Sequence, residues 1–164
     1  MPAEFSEQAF WQFSLKVYAD TKATCLQWQN HYDANVNLLL LLCYVEATGY
    51  TLAAHQISRL HAAITKFSNL YTKPLRAIRQ QLPGSNLTSA QQQQLKQSLL
   101  STELTAEKTE QQLLLQQLPA LQIQKANCLP EQYLAVLNIS LTEELSQQII
   151  DLRQASQRYI TSLP

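Results

Sequence analysis

Apolar residues recur along most of this chain at intervals of three and four, the spacing that gathers them on one face of an α-helix. Over 4–19, Phe10, Phe13 and Val17 form one stripe and Trp11, Leu15 and Tyr18 a second beside it. The pattern predicts a helix from Glu4 to Ala19 that must be covered on more than one side. Asp20 is placed to cap a second helix over 23–32, which buries Cys25, Leu26 and Trp28. Residues 35–47 differ in kind: Leu38 to Val45 is apolar all round, so this helix belongs at the centre of a bundle, with Gly49 as the left-handed residue that stops it.

Ile57, Leu60, Ile64, Phe67 and Tyr71 continue as a heptad-like seam, which predicts a long helix over 52–82. Pro74 interrupts it, so a kink or break is expected near Lys73. Leu82-Pro83-Gly84-Ser85-Asn86 is the clearest loop, within a punctuated stretch reaching 88. Thr88 or Ser89 caps a helix running to Leu118, just before Pro119. Pro130 suits a first helical position, with Glu131 favouring the positive helix end. Ser140 with Glu143 has the spacing of a capping box ahead of a last helix that carries Leu145, Ile149, Leu152, Tyr159 and Leu163 on one face.

The fold expected from this pattern is all-α: an irregular single-domain bundle of about six to seven helices spanning 1–164, built around the apolar helix 35–47. Composition agrees, since only two glycines and six prolines punctuate 164 residues rich in leucine and glutamine, which leaves little material for hairpins. Eight residues of continuous apolar sequence fall far short of the ~20 that span a bilayer. No membrane role is expected. Three cysteines without a CxxC spacing, and a polar start at Met1-Pro2-Ala3-Glu4, fit free thiols in the cytoplasm of a chain without a secretory leader.

Charge changes the picture locally. The 12 basic and 12 acidic residues cancel, so no global field draws the chain to polyanions. Between Ala47 and Thr102, however, there is no Asp or Glu, while Arg59, Lys66, Lys73, Arg76, Arg79 and Lys96 give a local charge of +6. The acids resume as Glu103, Glu107 and Glu110 on one helical face. The two segments are expected to pack as antiparallel neighbours, with Arg76 or Arg79 against Glu103 or Glu107. The 59–79 segment lacks aromatic and glycine interleaving and has few arginines, which argues against nucleic acid.

Asp33, Asn35 and Asn37 cluster where the central helix begins, and short polar side chains there serve first as caps. Asn35 and Asn37 are alternatively part of a buried polar pocket with Arg76, Arg79, Glu103 and Glu107, and these six are the candidate binding residues. No metal site is expected: the residues three before His31, His55 and His61 are Trp28, Leu52 and Ser58, so the Glu-x-x-His pairs of di-metal bundles are lacking. No phosphate loop or nucleophile motif is found either. No cofactor or catalytic residue is assigned, and an enzyme would need residues that only folding brings together.

The blocks Phe10-Trp11-x-Phe13-Ser14-Leu15-x-x-Tyr18, Cys25-Leu26-x-x-Gln29, Asn35-Val36-Asn37-Leu38-Leu39-Leu40, Pro74-Leu75-Arg76-x-x-Arg79 and Glu103-Leu104-x-Ala106-Glu107 resemble an uncharacterised family of small conserved-hypothetical proteins from proteobacteria. The resemblance implies a bacterial cytoplasmic helical protein and brings no activity with it. It marks Asn37, Arg76, Arg79, Glu103 and Glu107 as family positions. The chain departs from the family at Asn35, where an aspartate is usual, and at Phe67, near a common tryptophan. The functional expectation is a non-enzymatic interaction, regulatory or accessory protein that meets a protein partner or a second copy of itself. A small-molecule or anion-binding bundle is the alternative, and weak nucleic-acid binding through 59–79 a third.

Overall fold

The computed structural model describes residues 5–123 and 128–164. Seven α-helices lie within them: α1 (Glu7–Tyr32), α2 (Val36–Ala47), α3 (Ala54–Leu70), α4 (Thr72–Gln80), α5 (Ser89–Gln117), α6 (Leu129–Val136) and α7 (Glu143–Ser162). The expected all-α architecture is what forms. Two two-residue strands, β1 (Tyr50–Thr51) and β2 (Gln122–Ile123), pair antiparallel with Tyr50 opposite Ile123.

α2 is the axis. Leu38 through Glu46 are all buried, because a run of leucines has no polar face to turn to water. Each fully withdrawn leucine contributes about 2 kcal/mol. The helix touches α1, α3, α5, α6 and α7. Asn35 starts it, its Oδ1 accepting from Leu38 N–H at 2.9 Å. Gly49, at φ +85°, follows its end in the left-handed conformation expected of it.

Phe10, Phe13, Val17, Cys25 and Trp28 of α1 are completely buried. Leu145, Ile149 and Leu152 of α7 are buried as well, whereas Leu163 lies past the helix end and half in water. Trp28 keeps its indole N–H satisfied by donating to Gln148 Oε1 at 2.8 Å.

Three local expectations are corrected. The helices expected over 4–19 and 23–32 are one: α1 runs on through Thr21, which departs from helical geometry at φ −126° and ψ 23°. Thr21 Oγ1 donates to Val17 O at 2.7 Å, a side-chain bond that competes with the helical ladder and bends it without ending it. Asp20 is no cap; it faces Lys16 at 4.0 Å and Arg158 at 3.8 Å. The cap of α1 is Ser6, which accepts from Ala9 N–H, and Glu4 lies outside the described residues.

The break expected near Lys73 falls at Tyr71, at φ −129° and ψ −64°. Pro74 has no N–H for the carbonyl four residues back, at Leu70, and its ring crowds that carbonyl, so the ladder fails there rather than beside the proline. Finally, α7 is capped by Thr142, whose Oγ1 accepts from Leu145 N–H at 3.2 Å, and not by Ser140. The Thr88 cap of α5 forms as expected, reciprocated by Gln91.

Candidate functional site

α4 and α5 pack against one another across the loop at 82–88, which brings the basic and acidic segments together. The expected pairing resolves into two contacts of different quality. Arg79 donates to Glu103 with two nitrogens, Nε to Oε2 at 2.5 Å and Nη2 to Oε1 at 3.1 Å. That is the bidentate fork that guanidinium and carboxylate favour. Hydrogen bonding to Glu103 holds the Arg79 guanidinium above its usual range. Arg76 and Glu107 are one helical turn away from this pair on their respective helices, but Arg76 Nη2 is 3.8 Å from Glu107 Oε1. Charge attraction operates at that distance without a hydrogen bond.

Beneath these pairs lies Glu110, 2% exposed. Oε2 accepts from Asn35 Nδ2 at 3.0 Å and from Asn37 Nδ2 at 2.8 Å, and Oε1 accepts from Thr72 Oγ1 at 2.7 Å. Four elements meet at this one carboxylate: the entry to α2, α2 itself, α4 and α5. Asn37 does not cap; it points sideways from α2 and passes the network on. Its Oδ1 accepts from Gln111 Nε2 at 3.0 Å, and the same nitrogen donates to Ser14 Oγ of α1 at 2.9 Å.

The amide orientations in this chain are forced. Asn35 must present oxygen to the Leu38 N–H, so its nitrogen faces Glu110. Glu110 Oε2 is thereby an acceptor, Asn37 turns its own nitrogen towards it, and Gln111 meets the Asn37 oxygen with Nε2. Both Nε2 hydrogens are used. Gln111 Oε1 is left over, buried and with no hydrogen-bond partner.

These groups line a groove of about 430 Å³ between α1, α4 and α5, open above the start of α2. All six sequence candidates, Asn35, Asn37, Arg76, Arg79, Glu103 and Glu107, border it. Trp11, Leu15, Tyr18, Leu100 and Leu104 supply an apolar wall. Leu15, Leu100 and Leu104 remain between 43% and 49% exposed. Lys73 and Asp33, 2.7 Å apart, stand at its margin, and Lys108 lies 5.0 Å from the Trp11 ring centre. Removal from water pushes the Glu107 carboxyl up from the usual range, with Arg76 opposing and Glu110 and Glu103 reinforcing the shift.

Sequence reasoning did not include Glu110, Gln111, Thr72 or Ser14 in the candidate set. Glu110 carried a signal, as the third acid of the stripe that holds Glu103 and Glu107. Gln111 carried one too, being four residues beyond Glu107. Thr72 and Ser14 look like any hydroxyl on a helix, and only packing sets them apart.

A second polar relay backs the site. Tyr133 OH accepts from the Asn35 backbone N–H at 2.9 Å and lies 3.0 Å from His61 Nδ1. Burial pushes the phenol up and the imidazole down, so each is held towards its neutral form. Cys25 is likewise held as a thiol, its pKa pushed up to about 11 by burial. Among the described residues no group of three or more His, Cys, Asp and Glu side chains is placed to hold a metal ion, and no helix is long and apolar enough to cross a membrane.

Fold and groove together define an all-α protein with a preformed, polar-floored and apolar-walled cleft between its helices. Residues 9–114 match the model of the family described as "Protein of unknown function (DUF2390)". The matched span is well over half of the chain, and the chain belongs to this family. It contains every residue of the groove. Searches of curated proteins and of solved structures found no match.

Proposed function

We propose that this protein binds a small organic molecule in the groove between α1, α4 and α5. The observation that carries the reading is convergence: six residues chosen from separate stretches of sequence border one cleft, whose floor holds a buried acceptor without a partner. A volume of about 430 Å³ lies in the range of small-ligand sites, and apolar walls with a few oriented polar groups are their usual make-up. The sequence favoured a protein partner or self-association; the groove moves the preference to the small-molecule alternative. Its setting in this reading is the bacterial cytoplasm, where the buried Cys25 and Cys43 stay reduced.

The test is a thermal-shift screen of the full chain against a metabolite library, with hits mapped by backbone amide chemical shifts. At least one compound is expected to raise the melting temperature and to perturb α1, α4 and α5. Leu104→Trp, which puts a bulky ring on the exposed wall, is expected to abolish both effects. A screen without hits, or hits indifferent to Leu104→Trp, overturns the reading.

A further inference from the structure

We infer that the ligand of this groove is zwitterionic, with an amino group and a carboxylate on a small apolar body, which is the chemistry of an apolar amino acid. The inference rests on the groove being a ligand site, and adds what the ligand must carry.

Two groups in the groove lack a well-fitted partner, and they are opposite in kind. Gln111 Oε1 is an acceptor, 96% of its residue being withdrawn from water. The forced amide chain from Asn35 through Glu110 and Asn37 fixes its direction, so rotating the amide cannot cure it. A buried acceptor left unmade costs about 1–3 kcal/mol, which a ligand's donor returns once its binding opens the way to that oxygen. Arg76 is the complementary case: among the described residues its one ion pair is the 3.8 Å approach to Glu107, without a hydrogen bond. Its planar fork fits a carboxylate.

The groove's charges and its unfilled fork weigh against the simpler choices. Asp33, Glu103, Glu107 and Glu110 line it with Lys73, Arg76 and Arg79, an excess of one negative charge that disfavours a pure anion. A pure cation suits that excess but leaves the Arg76 fork unfilled. A ligand with both charges and no net charge meets neither objection.

Placement agrees: Glu107, which Arg76 faces, and Gln111 are four residues apart on α5, about one helical turn, and so lie on one face of that helix. In the other direction along the same face come Leu104 and Leu100, with Leu15 and Trp11 across from them in the groove. They offer apolar surface to a side chain.

The experiment titrates the full chain, followed by amide chemical shifts, with L-phenylalanine, phenethylamine and 3-phenylpropionate. These share an aromatic body and differ in whether amine, carboxylate or both are present. Phenylalanine is expected to bind at millimolar concentration with shifts centred on Arg76, Glu107 and Gln111, and each truncated compound at least about tenfold more weakly. Arg76→Gln is expected to weaken phenylalanine by about tenfold and to leave phenethylamine unchanged. Gln111→Met is expected to weaken both amines; should its melting temperature show that it does not fold, Arg76→Gln carries the test alone. Equal binding of either truncated compound, or no binding of phenylalanine, overturns the inference. If other compounds still occupy the groove, the small-molecule reading survives that failure; if none does, both fall.

Discussion

Glu110 is a buried carboxylate that, among the described residues, has no cation in hydrogen-bonding contact. Glu103 has Arg79 and Glu46 has Arg153, but Glu110 is surrounded by two amides and a hydroxyl, all donating. Three donors replace much of the hydration a carboxylate loses on burial. They also make Glu110 the residue that sets the polarity of the whole floor, through Asn37 to Gln111. Glu110→Ala leaves the Asn35, Asn37 and Thr72 donors facing a cavity, and a loss of about 3 kcal/mol is expected in urea unfolding. A loss under about 0.5 kcal/mol, as for an ordinary surface carboxylate, would show that the floor does not depend on it. The stripe of three acids was visible in the sequence. Which of them faces a guanidinium and which faces amides depends on helices that sequence places only by type.

At the scale of elements, α5 is two helices in physical character. Apart from the half-buried Gln92 and Leu99, residues 89–102 are exposed, while Glu103, Ala106, Glu110, Gln111, Leu114 and Leu115 are buried. The first half buries little; the second meets α4 through Glu103, Glu107 and Glu110, and α1 and α2 through Gln111. Local stability follows buried contacts, so amide hydrogen exchange is expected to be faster over 89–102 than over 103–117 by at least about tenfold. Uniform protection along the helix would contradict this division. The extent of α5 was readable from Thr88 and Pro119. The break between α3 and α4, and the bend of α1, were readable only approximately, because Pro74 acts on a carbonyl four residues away and Thr21 acts through a rotamer that the residue name does not state.

For the molecule as a whole, Arg153 of α7 ties three elements. It donates to both oxygens of Glu46 in α2 and both of Glu131 in α6, at 2.6–3.2 Å. Glu46 Oε2 also accepts from the Leu129 N–H at the start of α6. Removing the cation strands a nearly buried carboxylate beside the apolar axis. Arg153→Met is expected to cost about 3–5 kcal/mol. Glu46→Gln in the Arg153→Met background, which removes the stranded charge, is expected to restore part of that in the same unfolding assay. A double variant no more stable than Arg153→Met would mean that the charge on Glu46 is not what Arg153 serves.

Sequence by itself determined the helical class, the central place of 35–47 and most helix ends, because these follow from period, capping chemistry and the want of a polar face, all of which act within a few residues. It also found six residues of the groove, since charge segregation between 47–102 and 103–110 leaves opposite charges with one economical way to meet. The tertiary structure decided the rest. The tie of Arg153 to Glu46 and Glu131 joins residues up to 107 positions apart, and the network from Asn35 to Gln111 depends on which amide face each neighbour presents. Such polarity is fixed by one buried carboxylate and one backbone N–H in contact through space, and no local period records it.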